Sequence, residues 1–434
     1  MKYYSTRHSE EAYSAREATS KGLANDSGLF MPEFVPELNQ SFLDAIKGRS
    51  FQEIALEVSK VFFADDLEEG ALQKIVTDAY DFKCPLTQLE ENLYVLELFH
   101  GPTLAFKDYG ARFLARILSA YRKDEGKELT ILVATSGDTG SAVASGFYKV
   151  PGIKVVILYP SNKVSPLQEQ QLTTLGENIT ALEVQGTFDD CQRLVKEAFL
   201  DKDLNLKLDL TSANSINIGR FIPQSFYYFY AASQLEKSSK DIVFSVPSGN
   251  LGNLTAGLFA KKMGLKVDGF ISALNSNNVF ENYLNTGVFT PRASVKTVAN
   301  AMDVGNPSNL ERISALYNND IEAIRRDIKS ASFSDEQILS CIQEVNAEYY
   351  YLMCPHTATG LLAYLKYKTD FKDSTGIVLA TAHPAKFIDQ VEPVIGEEIK
   401  LPPELAVLKD KKKESVVIDS RYDSLKFRLI DDAR

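Results

Sequence analysis

Short runs rich in β-branched and aromatic residues recur along the chain at 94–99, 130–135, 154–159, 179–184, 241–246, 268–274 and 376–381. Between most of them lie segments of helix length, at 139–149, 166–176, 188–200, 217–236 and 251–264. Parallel strands need a crossover of a dozen or more residues, and a helix is the usual one. The alternation therefore predicts an α/β fold of doubly wound, mainly parallel sheets. With 434 residues, it predicts more than one domain. Three regions are expected: a mostly helical N-terminal region at 1–90, a smaller α/β domain at 91–240, and a larger α/β domain at 241–434 that ends in a tail. Helices are expected around 51–63 and 67–80. The tail from residue 400, with its run KDKKKES, reads as a solvated surface segment.

Composition narrows the class. Hydrophobic content of 44% and charged content of 24% suit a globular protein with a large core. The net charge of −11 is spread along the chain, which argues against a nucleic-acid or acidic-membrane partner. The apolar runs TILVA and VVILY fall far short of the ~20 residues of a membrane span. The first residues, MKYYSTRHSEEAYS, lack the apolar core of a signal peptide. Cys84, Cys191, Cys341 and Cys354 have neither disulfide-framework nor metal spacing. A reducing, cytoplasmic location, a monomer and no metal site are expected.

In such sheets ligands bind beyond the carboxyl ends of the strands. After 130–135 comes TSGDTGSAVA, and after 241–246 comes PSGNLGNLTAGL. Each is a turn of small residues that opens a helix, a geometry that presents backbone N–H groups to an anion. Neither is a GxGxxG or P-loop motif. A third segment, FHGPTLAFKDYG, delivers one lysine, Lys107, out of an apolar turn. A buried lysine has a lowered pKa and becomes a nucleophile toward carbonyls. A cofactor carrying an aldehyde and a phosphate needs such a lysine and an anion cradle, and pyridoxal 5′-phosphate meets both demands.

FHGPTLAFKDYG, ATSGDTGSAVA, YPSNKVSPLQ, NSINIGR, VPSGNLGNLTAG, NAMDVGNPSN and TAHPAKF together resemble the motifs of the threonine synthase family in its longer bacterial and fungal form, in the family's order. The resemblance implies a tryptophan-synthase-β-like fold with pyridoxal phosphate between two domains. It implies conversion of O-phospho-L-homoserine and water to L-threonine and phosphate. It places the cofactor aldehyde on Lys107 and the cofactor phosphate on Gly249, Asn250, Leu251 and Asn253. Thr381 would face the pyridine nitrogen, a neutral partner that moderates the electron sink and suits elimination and replacement. Thr135, Ser136, Asp138 and Thr139 would line the substrate side, where an ionised Asp138 repels the cofactor's ring oxygen unless it points away. The substrate phosphate would be met by Lys163, by Arg220 with Ser215 and Asn217, or by Lys386.

The competing reading on the same scaffold is a serine or threonine ammonia-lyase-like eliminase, or a paralogue that eliminates phosphate from other amino acids. A non-catalytic binding protein is a third, which an intact Lys107 disfavours.

Overall fold

The computed structural model describes residues 1–8, 10–123, 127–135, 137–235 and 241–431. Two sheets dominate it. The strands are β1 (Tyr3–Ser5), β2 (Phe30–Pro32), β3 (Leu86–Glu90), β4 (Leu93–Glu97), β5 (Leu129–Ala134), β6 (Ile153–Pro160), β7 (Ile179–Gln185), β8 (Asp209–Thr211), β9 (Ile242–Pro247), β10 (Val267–Leu274), β11 (Ile328–Ser332), β12 (Thr375–Ala380) and β13 (Val416–Asp419). Among the described residues one sheet has six strands in the order β11-β10-β9-β12-β4-β3, parallel except for β3. The other has five parallel strands in the order β13-β7-β6-β5-β8. β1 and β2 form a small antiparallel ribbon.

The central strands explain why the alternation was so plain. LTILVA in β5, IVFSVP in β9 and TGIVLA in β12 are buried at every residue. Helices cover both faces of these strands, so no position is left for a solvent-facing polar residue. The N-terminal region packs the helix Phe51–Phe63, begun by a Ser50/Glu53 capping box, and the helix Ala71–Ala79 onto this core.

Strand pairing does not follow the expected division at 91 and 241. β3 and β4 lie beside β12 in the six-stranded sheet, far from β5 to β8. The chain then leaves for the five-stranded sheet and returns at β9. Nor is the end of the chain only a solvated tail. β13 pairs with β7, and Ile418, Leu425 and Leu429 are buried against Leu182, Val184 and Leu194. Within KDKKKES, Lys413 binds Glu169 at 2.7 Å and Glu183 at 2.6 Å. The expected helix 217–236 is broken into Ile218–Phe221, a 3₁₀ turn Ile222–Ser225 and Phe226–Gln234. Pro223 sits in the 3₁₀ turn, where its missing N–H interrupts the ladder.

The topology gathers the unusual turns. FHGPTLAFK follows β4, TAHPAKF follows β12 and PSGNLG follows β9, and these three strands are neighbours. TSGDTG follows β5, SNKVSP follows β6 and SANSINIGR follows β8, again neighbours. All six segments leave carboxyl ends of parallel strands, where open α/β sheets bind ligands.

Candidate active site

Lys107 is the first residue of the helix Lys107–Tyr121. Its position is fixed by a short pairing across two strand ends. Ala105 forms an antiparallel bridge with Ala382, Phe106 N donates to Thr381 O at 2.9 Å, and His383 N donates to Leu104 O at 3.0 Å. Leu104 adopts a left-handed conformation, φ 58°, to make the turn. Asp108 is there for the same turn. Its carboxylate accepts from Thr103 N at 2.9 Å and from Thr103 Oγ1 at 2.7 Å. Burial nonetheless pushes its pKa up to about 6, against the pull of those bonds. The Lys107 side chain is only 15% exposed. Burial lowers its pKa to about 8; Asp138 opposes the change, while Arg220 and Lys386 add to it.

Asp138 opens the helix Asp138–Phe147. Lys386 Nζ lies 2.7 Å from Asp138 Oδ1, Gln168 Nε2 donates to that oxygen at 2.9 Å, and Lys107 Nζ lies 3.8 Å from Oδ2. Although burial opposes ionisation, the two lysines and Gln168 hold this carboxyl well below the usual carboxylate range. Asp138 is therefore ionised and engaged by two ammonium groups. Thr135 Oγ1 accepts from Gly137 N at 3.0 Å and from Gly140 N at 2.9 Å, shaping the turn. Thr139 is half-buried in the first turn of the helix. Ser136 lies outside the described residues.

The Gly249–Asn253 turn has the build of an anion cradle. A Cβ on Gly249 would lie 2.8 Å from Met302 Cα and 2.9 Å from Ala301 O, so the NAMDVG segment presses directly on it. Leu251 is left-handed at φ 59°, immediately before the helix Gly252–Lys262. Asn253 Oδ1 accepts from Tyr227 Oη and Tyr228 Oη, both at 2.7 Å. Its Nδ2 is buried with no partner among the described residues. A helix N-terminus with an orphaned buried amide donor fits a bound phosphate. Asn250 is held on three sides: Nδ2 donates to Ser215 Oγ at 2.8 Å, Oδ1 accepts from Ser308 N at 2.6 Å, and its carbonyl accepts from Asn309 Nδ2 at 3.0 Å. Gly249→Ala should weaken pyridoxal phosphate binding by about tenfold or more, because the colliding atoms are backbone and cannot rotate away. Equilibrium dialysis against the cofactor would read this, and unchanged affinity would remove Gly249 from the cradle.

The remaining expected residues divide. Thr381 is buried at the end of β12, its carbonyl tied to Phe106 N. Arg220 is buried; Nη1 donates to Ala213 O at 2.6 Å, and no carboxylate pairs with it among the described residues. Asn217 is wholly engaged in structure: Nδ2 donates to Thr19 O at 2.9 Å and Ser212 O at 3.0 Å, and Oδ1 accepts from Gly219 N at 2.9 Å. Lys163 is exposed in the turn after β6, without an ion pair among the described residues.

Several supporting residues carry no visible signal in the sequence. FYYFY at 226–230 reads as core, and its rings are packed so, yet two of its hydroxyls aim Asn253. Arg312 lies in what looks like an ordinary amphipathic helix, Leu310–Leu316. It is fully buried and donates to Ile216 O at 2.6 Å and Asn309 Oδ1 at 2.8 Å, which props the residue that holds Asn250. His356 accepts from Ala301 N at 3.2 Å, and burial lowers its pKa to about 4, so it is neutral at pH 7. Cys354 is buried and its thiol pKa is raised, an inert setting.

Comparison with known proteins decides what this site belongs to. Residues 80–381 match the model of the pyridoxal-phosphate dependent enzymes, residues 2–80 that of the threonine synthase N terminus, and residues 357–427 that of the threonine synthase C-terminal region. The chain belongs to the threonine synthase family. It is 43% identical to the threonine synthase of Haemophilus influenzae over 426 residues, covering 98% of this chain and 97% of that one. The crystal structure of threonine synthase from Escherichia coli superposes with a TM-score of 0.93 at 41% identity, covering 100% of both chains. The structure of PLP-bound threonine synthase from Brucella melitensis gives 0.95 at 34% identity, again with 100% of both chains covered. As a threonine synthase the chain is a pyridoxal-phosphate-dependent lyase of threonine biosynthesis, with a small-molecule substrate. No helix among the described residues is long and apolar enough to cross a membrane.

Proposed function

We propose that Lys107 carries the cofactor and moves the protons in the conversion of O-phospho-L-homoserine and water to L-threonine and phosphate. The observation that carries this reading is the placement of Lys107, buried beside Asp138, Arg220 and Lys386, on a turn bridged to Thr381. Bound pyridoxal phosphate supplies an electron sink for the substrate's α-carbon. The protein does the rest. Gly249, Asn250, Leu251 and Asn253 hold the cofactor phosphate through the turn's N–H groups and the free Asn253 amide. The Thr381 hydroxyl serves as the neutral partner of the ring nitrogen.

With its amine free, Lys107 Nζ would take protons from Cα and Cβ of the substrate and return protons to Cγ and Cα, while phosphate leaves Cγ and water adds at Cβ. A pKa near 8 leaves an appreciable neutral fraction at neutral pH. Thr135, Asp138 and Thr139 line the substrate side. Arg220, buried with no carboxylate partner among the described residues, meets the substrate phosphate together with Ser215. Asn217 shapes the turn that presents it. Lys163 stands at the rim, where it attracts the anion.

The six-stranded sheet marks one domain, to which β3 and β4 belong, and the five-stranded sheet with β13 marks the other. The cofactor binds between them. The protein works as a cytoplasmic monomer without a nucleic-acid partner; its four cysteines are buried free thiols and its charge is negative. The deciding experiment incubates purified protein with pyridoxal phosphate and O-phospho-L-homoserine and quantifies threonine and phosphate. Equal amounts of both are expected. Phosphate or a keto acid without threonine would overturn this reading in favour of an eliminase.

A further inference from the structure

Lys386 has a 1% exposed side chain and two protein acceptors. It lies 2.7 Å from Asp138 Oδ1 and donates to Thr103 O at 2.8 Å. Thr103 and Lys386 stand on the turns after β4 and β12, in the six-stranded sheet. Asp138 and Gln168 stand after β5 and β6, in the five-stranded sheet. Gln171, on the helix Pro166–Thr173, also donates to Thr103 O, at 3.3 Å. Where the two sheets face each other at the reactive lysine, one carboxylate is shared unequally by two ammonium groups, 2.7 Å from Lys386 and 3.8 Å from Lys107.

We propose that Lys386 is a positioning residue for Lys107: it takes Asp138 as its own partner and so leaves the Lys107 amine free to react. The proposal rests on Lys107 being the cofactor lysine. The physical basis is competition. A buried carboxylate must be neutralised, and the closer, better hydrogen-bonded cation satisfies it. The charged and titratable groups that face Lys107 are Asp138, Arg220, Lys386, Asp108 and the neutral His356. Of the two carboxylates, Asp108 is spoken for by Thr103, so Asp138 is the one that could trap Lys107 as an ammonium ion. Without Lys386, Asp138 would turn to Lys107, and a cation that disfavours Lys107 protonation would also be gone. Both changes favour the protonated, unreactive lysine.

The test uses the full-length protein freed of cofactor. The rate of pyridoxal phosphate capture, followed by its visible absorbance, is measured across the neutral to alkaline range. Capture requires the neutral amine, so in the parent protein the rate should rise through about pH 8. Lys386→Met should move the midpoint to higher pH, with roughly tenfold slower capture at neutral pH, since one pKa unit is tenfold in the neutral fraction. Asp138→Asn should move it the other way. A residue that only braced the fold would lower stability without moving the midpoints in opposite directions. A parental midpoint in Lys386→Met, or Asp138→Asn shifting upward, would overturn the proposal. If Lys386→Met does not accumulate as folded protein, Lys386→Gln takes its place, and a parental midpoint in that variant overturns the proposal. Borohydride trapping and peptide mapping separate the two layers. A lysine other than Lys107 defeats both readings. Lys107 trapped with coincident midpoints defeats only this one.

Discussion

Lys107→Ala should abolish threonine formation, lowering kcat by roughly 10⁴-fold or more, because one side chain both holds the cofactor and moves the protons. Cofactor retention should drop too, but not to zero, since the phosphate cradle at 249–253 is intact in the variant. The fold should survive. Lys107 makes a cation–π contact with the neighbouring Phe106 ring at 5.0 Å and a loose 3.8 Å contact with Asp138, which keeps its closer partner Lys386. Melting temperature close to the parent's, with no turnover, is the expected pair of results. Full activity in this variant would end the mechanism. The parent enzyme's own pH profile offers a second check. A lysine must be neutral to act as nucleophile or base, and its pKa is lowered to about 8 by burial. Where turnover is limited by the freed Lys107 amine, activity should therefore rise with pH on the acid side and level off above about 8. A profile flat from acid to neutral pH would place the essential base elsewhere.

Arg220→Met is expected to be almost as damaging, but selectively. Losing a buried, charge-assisted contact to a phosphate costs about 2–5 kcal/mol, or roughly 30- to several thousand-fold in kcat/KM. The loss should be confined to phosphorylated substrates. Elimination from an unphosphorylated amino acid on the same cofactor should change little, and competitive inhibition by inorganic phosphate should weaken in parallel with substrate use. Equal losses on both kinds of substrate would make Arg220 structural. Its geometry also has a structural side, because Nη1 anchors Ala213 O and its carbonyl and Cγ would lie 2.4 and 2.8 Å from a Cβ placed on Gly110. Substrate comparison therefore decides more than the size of the drop.

The central strands were legible because each is buried throughout, mostly apolar and followed by a turn of small residues. Strand ends at 129–134, 153–160, 179–185 and 242–247 fall within two residues of those read from sequence. β8 and β13 were not legible. Each is short, three and four residues, and neither DLT nor VVID stands out from its polar surroundings. β13 becomes a strand only because the edge of β7 is there to pair with it. The division into two sheets was equally hidden. Which strands pair depends on contacts between residues almost 300 positions apart, such as Val95 with Val378, and no local pattern encodes them.

The site divides along the same line. The sequence by itself determined the local devices: a lysine delivered by an apolar turn, glycines where a side chain would strike Met302 or Gln168, and two turns that open helices. Steric and dihedral constraints of that kind act over a few residues, so they leave a readable imprint. Tertiary structure alone decided the charges. That Asp138 belongs to Lys386 and Gln168, that Arg220 is buried without a carboxylate among the described residues, and that Tyr227 and Tyr228 engage the Asn253 side-chain oxygen while its buried amide nitrogen has no partner among those residues, all depend on where distant turns meet. Burial and the nearest opposite charge set a pKa, and both are properties of the assembled fold. The sequence names Lys107; the packing of two sheets around it makes its amine reactive.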